Sequence, residues 1–193
     1  MKKILFTLLI FLTSLTYLSA ENKVKRIYEG KEDSKITILV FESLTCSHCA
    51  KFHADIYPEL KKNFIDKGIV RIEYRNFPLD LAAFNAAKVA HCKSSNGEEI
   101  LHFLYKNQNE WVKGDTIEDL NTNLKKLLES KDLGINYNKC VNDKIIEDFI
   151  LEDRIEGVKK YNVSATPTLI INGKKFEKSL TYKNLEKTLE KLL

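Results

Sequence analysis

One stretch constrains the fold of this chain more tightly than any other. It is the apolar run Ile36-Thr37-Ile38-Leu39-Val40-Phe41, followed across Glu42 by Ser43-Leu44-Thr45-Cys46-Ser47-His48-Cys49. A β-branched apolar run of this length suits a strand buried on both faces. Beyond it Cys49, Phe52, Ile56, Leu60 and Phe64 recur at three- or four-residue spacing, one stripe of an amphipathic helix. Thr45 is the predicted N-cap, which puts Cys46 at the first helical position. There, orphan N–H groups and the positive helix end favour a thiolate. Cys49 lies three positions on, on the buried stripe and within reach of a disulfide to Cys46. Such a setting lowers a thiol pKa from about 8.5 to roughly 3.5–7.5. His48, between the two, is placed to add positive charge or a hydrogen bond to the Cys46 sulfur. The chemistry this points to is thiol–disulfide exchange.

Two other readings use the same residues. Cys-x-x-Cys is half of a zinc site, with His48 as a further ligand, and it is also a purely structural disulfide. A tetrahedral zinc site needs another closely spaced pair, and Cys92 and Cys140 stand 48 residues apart. Strand, cap and helix surround the motif as the redox chemistry requires.

Residues 1–20 read as a signal peptide. Lys2-Lys3 form a basic start, residues 4–18 an apolar stretch of 15, and Leu18-Ser19-Ala20 a cleavage site. The stretch is short for a membrane span, although an uncleaved anchor is the alternative. No Cys follows it for lipidation and no twin Arg precedes it, so the general secretory route to an oxidising compartment is expected. The remaining 173 residues suffice for one domain with a sizeable core. Without Lys2 and Lys3 there are 29 basic against 27 acidic residues, a formal charge of +2. That balance, with no basic stripe interleaved with aromatics, argues against nucleic acid.

Taken in order, residues 25–30 are a short first strand and 36–41 the buried one. Pro58 should interrupt the helix that follows. Val70, Ile72 and Tyr74 alternate with Arg71, Glu73 and Arg75, a half-exposed strand closed by Phe77-Pro78. The crossover between the two long strands implies parallel neighbours. Residues 79–161 then turn wholly helical. Ala82, Ala83, Ala86, Ala87 and Ala90 make one strong helix former, and Ile100, Leu101, Leu104 and Trp111 mark a second helix. Asp115 with Glu118 resembles a capping box for a third, and a longer helix runs from 144 to 161. The block reads as an insertion between strands. Asn172-Gly173 between β-prone runs is a hairpin signal, and a last helix from about Thr181 buries Leu185, Leu189 and Leu192. His53, His91 and His102 read as ordinary helix residues without visible partners.

These pieces together resemble the DsbA family of thioredoxin-fold oxidoreductases over essentially the whole mature chain. The stretches that carry the likeness are Ser43 to His53, Phe77-Pro78-Leu79-Asp80, and Tyr161-Asn162-Val163-Ser164-Ala165-Thr166-Pro167-Thr168. The resemblance implies an α/β thioredoxin-like fold with an inserted all-helical subdomain. Its core would be residues 21–78 and 162–193, and its insertion 79–161. It implies that Cys46 is the attacking thiol, Cys49 the resolving thiol and Pro167 a cis-proline facing them. The bend there would leave the backbone groups of Thr166 free to pair with an extended substrate.

Three departures from the family pattern stand out. Relatives often have Pro at the position of Ser47. They often place a buried acid where Val40 stands; Glu42, two residues on and on the same strand face, is the candidate proton acceptor for Cys49, against the alternative of a strand-end carboxylate reaching solvent. Thr before the cis-proline occurs among reductases and isomerases as well as oxidases. Of the three pairings open to four cysteines, 46–49 with 92–140 is the one compatible with the motif, and some alphaproteobacterial members carry such a second pair. A structural disulfide is the leading reading of it and a regulatory one the second. The resemblance implies a periplasmic dithiol oxidase, acting on reduced secreted proteins and reoxidised by a quinone-linked membrane partner of the DsbB type. It implies a monomer with no bound cofactor. The rivals are a disulfide isomerase or reductase of the same fold, and a non-catalytic thioredoxin-fold binding module or chaperone.

Overall fold

The structure is a computed structural model that describes residues 24–93, 97–131 and 133–193. The predicted signal peptide lies outside these residues. β1 (Ile27–Glu29) leads into β2 (Ile36–Glu42), and α1 (Ser47–Lys51) follows after a short turn. The helix then widens into a π-helical segment, Phe52–Ile56, returns to α2 (Tyr57–Leu60), and widens again at Lys61–Ile65. β3 (Val70–Asn76) completes the first unit. α3 (Leu81–His91), α4 (Gly97–Lys106), α5 (Gln108–Trp111), α6 (Ile117–Ser130), α7 (Tyr137–Val141) and α8 (Lys144–Tyr161) come next. β4 (Thr168–Ile171), β5 (Lys174–Lys175) and α9 (Tyr182–Glu190) close the chain.

The described strands form one sheet in the order β1-β3-β2-β4-β5. β2 and β3 are parallel, as the crossover requires, and the other pairs are antiparallel. β2 is buried on both faces. Ile36, Ile38 and Val40 enter the larger core, while Phe41 packs on the other side with Phe77, Val163 and Ile170. Glu42 continues the row of Val40, so the alternation of a strand carries its carboxylate into the larger core. Helix α8 lies against Phe41 at Gly157, where a Cβ would stand only 2.8 Å from the ring. The β4–β5 turn is the expected one, with Asn172 and Gly173 both at positive φ.

Several local expectations need correction. Pro58 falls at the start of α2, where the ladder returns to α spacing after the π-helical segment Phe52–Ile56, and that segment accommodates a residue that has no N–H to donate. The capping box of α6 is Thr116 with Asp119, one residue after the predicted pair. The Thr116 hydroxyl accepts the Asp119 N–H while the Asp119 carboxylate accepts the Thr116 N–H. Leu192 lies beyond the end of α9 and is exposed. Arg75, expected on the half-exposed face of β3, is buried because Asp153 of α8 covers it.

Cys92, at the end of α3, and Cys140, in α7, form a disulfide with their Cα atoms 5.5 Å apart. Closing a loop of 48 residues restricts the unfolded chain by up to about 4 kcal/mol in the chain-entropy picture. A Cys92→Ser, Cys140→Ser protein should therefore melt lower by as much as ~8–16 °C, while still oxidising dithiol substrates. A still-folded double variant without any activity would give this disulfide a redox role.

Candidate active site

The two remaining cysteines stand at the carboxyl end of the central strand, where open sheets of this kind place their sites. Cys46 is the N-cap of α1 and not its first helical residue. Its backbone is extended (φ −77°, ψ 119°), and its carbonyl accepts the N–H groups of Cys49 and Ala50, both at 3.1 Å. Thr45, the predicted cap, instead donates its hydroxyl to Asp80 (2.6 Å), itself the N-cap of α3. Ser43 accepts the Leu79 N–H, and Gln108 donates to the carbonyls of Leu44 (2.8 Å) and Cys46 (3.1 Å). The loop before the motif is thus fixed by the insertion as well as by the core.

Both cysteines are free thiols, Cys46 half-buried and Cys49 buried. Their environments separate them sharply. The Cys49 thiol hydrogen-bonds the Cys46 sulfur, and this is the largest influence bringing Cys46 down to about 5. Partial burial opposes it, while Thr166 and the backbone N–H groups of Cys49 and His48 reinforce it. Burial, the hydrogen bond to Cys46 and the charge of Glu42 push the Cys49 thiol far above the ordinary range. The helix end therefore acts on Cys46 even from the N-cap position.

His48 contributes through its main chain; its side chain is exposed and lines a groove of about 570 Å³ with Phe52, Ile56, Thr166, Pro167 and Tyr182. The Thr166–Pro167 bond is cis, and the Thr166 carbonyl accepts the Cys46 thiol at 3.4 Å. In the dithiol state that carbonyl is engaged, contrary to the expectation that the backbone groups of Thr166 are free. The buried Thr166 hydroxyl favours the Cys46 thiolate but has no partner beside the thiol.

Glu42 is buried, which removes the reading of a strand-end carboxylate reaching solvent. One of its oxygens accepts from His53 Nε2 at 2.8 Å, and the other, Oε1, has no partner. The histidines are not ordinary helix residues. His53 Nδ1 lies 3.1 Å from His102 Nδ1, His102 Nε2 lies 2.8 Å from Glu29, and His91 contacts Asn76 at 3.0 Å. A zinc reading of Cys46-x-x-Cys49 loses its second thiolate pair, since Cys92 and Cys140 are joined to each other.

A five-stranded sheet with a dithiol at the start of the helix after its central strand, facing a cis-proline, defines a thioredoxin-fold protein. The comparisons with known proteins agree. The thioredoxin family model matches residues 22–191. Disulfide bond formation protein D of Bacillus subtilis is 28% identical over 174 residues, covering 85% of this chain and 75% of its own length. A Rickettsia bellii protein, provisionally named a protein-disulfide oxidoreductase, is 30% identical over 149 residues. That match covers 75% of this chain and 56% of the relative, so the chain spans little more than half of it. The crystal structure of Wolbachia pipientis alpha-DsbA1 superposes with a TM-score of 0.77 at 27% identity, covering 87% of this chain and 90% of its own. The chain belongs to the thioredoxin family, in the DsbA branch.

Proposed function

We propose that the chain is a thiol:disulfide oxidoreductase working as a dithiol oxidase in the periplasm, to which residues 1–20 direct it. The observation that carries this reading is the split between the two thiols, with Cys46 at about 5 and Cys49 far above the ordinary range. A substrate thiolate attacks Cys46 Sγ of the Cys46–Cys49 disulfide, the S–S bond breaks, and Cys49 leaves and takes a proton. A second substrate thiolate attacks the substrate sulfur of the mixed disulfide, and Cys46 leaves as a stabilised thiolate. The substrate loses two electrons and two protons, and the protein disulfide becomes a dithiol. Thr166 and Pro167 border the groove beside Cys46, where an extended reduced polypeptide would lie. A quinone-linked membrane protein of the DsbB type would then restore the disulfide. The name of the Bacillus relative, a disulfide bond formation protein, supports the direction. Among the described residues no helix is long and apolar enough to cross a membrane.

The test is to melt the oxidised and reduced forms at pH 7 after replacing Cys92 and Cys140, so that one pair changes state. A Cys46 thiol depressed in the folded state stabilises the reduced protein fully above the unfolded pKa of about 8.5. That stability fades as pH falls through about 5. Cys49 is neutral in both states at pH 7 and adds nothing. The full linkage at pH 7 is about 3 kcal/mol; since Cys46 is substantially solvent-screened, the difference should be about 1–2 kcal/mol in favour of the reduced form. An oxidised form that melts higher would replace this reading by a reductase or isomerase.

A further inference from the structure

Cys49 must gain a proton each time it leaves the disulfide and lose one each time it reforms it. Its side chain has no solvent exposure at all. We propose that His53, His102 and Glu29 form a cluster that couples the proton of Cys49, taken up at Glu42, to a proton exchanged with solvent at His102. This rests on the thiol–disulfide exchange reading of Cys46 and Cys49.

The contacts form a line outward from Glu42, whose charge acts on the buried thiol. Glu42 Oε1 is a buried oxygen without a partner, and the Glu42 charge raises the Cys49 thiol. Glu42 Oε2 meets His53 Nε2 at 2.8 Å, the two Nδ1 atoms meet at 3.1 Å, and His102 Nε2 meets Glu29 Oε1 at 2.8 Å. Three contacts need three hydrogens. With both carboxylates ionised all three must sit on the rings, which then share one positive charge between two negative ones. Glu29 stays ionised: although burial opposes it, hydrogen bonds from His102, Tyr57 and Tyr74 hold its carboxyl at about 2.

The two rings differ in their access to water. The His53 side chain is 4% exposed and that of His102 is 25% exposed. When Glu42 Oε1 takes the Cys49 proton, the shared positive charge loses its inner counter-charge, and His102 releases a proton to water. The Tyr74 hydroxyl, which donates to Glu29 Oε1 at 2.8 Å and lies 3.4 Å from His102 Nε2, then turns its one hydrogen to that nitrogen, and Glu29 keeps Tyr57 and Lys61. One proton enters the cluster and one leaves, and the sequence reverses when Cys49 departs as a leaving group.

The groups around the rings are fixed. Tyr105 of α4 stacks on His53 at 4.0 Å and Tyr57 of α2 on His102 at 4.3 Å. The Lys61 ammonium lies 3.7 Å from Glu29, so the charged groups facing the pair are Glu29, Glu42 and Lys61, with Cys46 and Cys49 beyond. Glu42 and Tyr105 also line a cavity of about 10 Å³, close to the room one water needs.

The experiment measures how fast Cys49 resolves a mixed disulfide of glutathione on Cys46 in the full chain, from pH 5 to 9. The proteins compared are wild type, His53→Gln and His102→Gln. Glutamine keeps a hydrogen-bond donor and acceptor but cannot titrate. The variants should resolve roughly 100-fold more slowly at pH 6–7 and recover as pH rises, with the Cys46 thiolate absorbance titrating as in wild type. Variants that match wild type across the range would overturn the proposal. A pH-independent loss, with a shifted Cys46 titration, would do the same by showing a merely structural role. His102, at the exposed end, keeps the test available if His53→Gln does not fold. Failure of the underlying exchange reading looks different, since wild-type Cys46 would then titrate near 8.5 and form no mixed disulfide.

Discussion

A Cys49→Ser protein should lose dithiol oxidation by about 10³-fold or more and accumulate substrate on Cys46. Serine matches the size of the buried thiol, so the core around it, with Phe52 and Tyr105, should remain packed. Its hydroxyl also keeps the donor that Cys46 receives from Cys49, the largest single influence lowering the Cys46 thiol. Cys46 therefore stays reactive while the internal disulfide becomes impossible. Incubated with oxidised peptide or with reduced polypeptide in the presence of glutathione disulfide, the variant should show mass adducts on Cys46 that a reductant removes. Turnover within tenfold of wild type, or no adduct on Cys46, would show that Cys49 is not the resolving thiol.

The second large effect should come far from the cysteines. The Asp153 carboxylate has no solvent exposure and receives Arg75 Nε at 2.7 Å, Arg26 at 2.5 Å, and the Asn76 backbone and side-chain N–H groups at 3.1 and 2.9 Å. It fastens α8 to the end of β3, immediately before the Phe77-Pro78 turn that reaches the active-site loop. Asp153→Ala leaves the buried Arg75 guanidinium with only Glu73 and the partly exposed Glu156. Removing one partner of a buried pair in this way costs about 3–5 kcal/mol, equivalent to a Tm lower by roughly 6–20 °C for a protein of this size. Replacing Arg75 by Met together with Asp153 by Leu should cost less than Asp153→Ala alone, because the buried guanidinium leaves with its partner and the charges that remain, Arg26, Glu73 and Glu156, reach solvent. Denaturant unfolding measures both. A loss below 1 kcal/mol for Asp153→Ala would mean that water or Glu156 compensates Arg75.

Much of this architecture is legible in the chain because the signals are local. The β-branched run ending at Phe41, the stripe through Cys49 and Phe52, the Asn172-Gly173 turn and the uninterrupted pattern from Lys144 to Tyr161 each need only neighbouring residues to be read. The histidine cluster is different. His53 carries a weak signal, since it follows Cys49 by four residues and must share its helix face. His102 carries none, because its partner Glu29 lies 73 residues away and meets it only once β1 has paired with β3 and α4 has packed against the sheet. Gln108 is equally silent: a polar residue in a four-residue helix, it acts through backbone carbonyls of a loop 62–64 positions earlier. The missed burial of Arg75 has the same origin. Strand alternation gives a face, and what covers that face depends on α8. Where the sequence misplaced a detail by one residue, as at Thr116 and Cys46, the cap belongs to whichever side chain or carbonyl closes the first turn, and composition alone does not rank adjacent polar candidates.

The central claim, that the Cys46–Cys49 pair gives its disulfide away, is tested most directly by its equilibrium with glutathione in a protein lacking Cys92 and Cys140. A thiolate stabilised as Cys46 is should place the pair among disulfide donors, at a potential above about −180 mV. A value near −270 mV, in the range of thioredoxin-type reductants, would contradict the account.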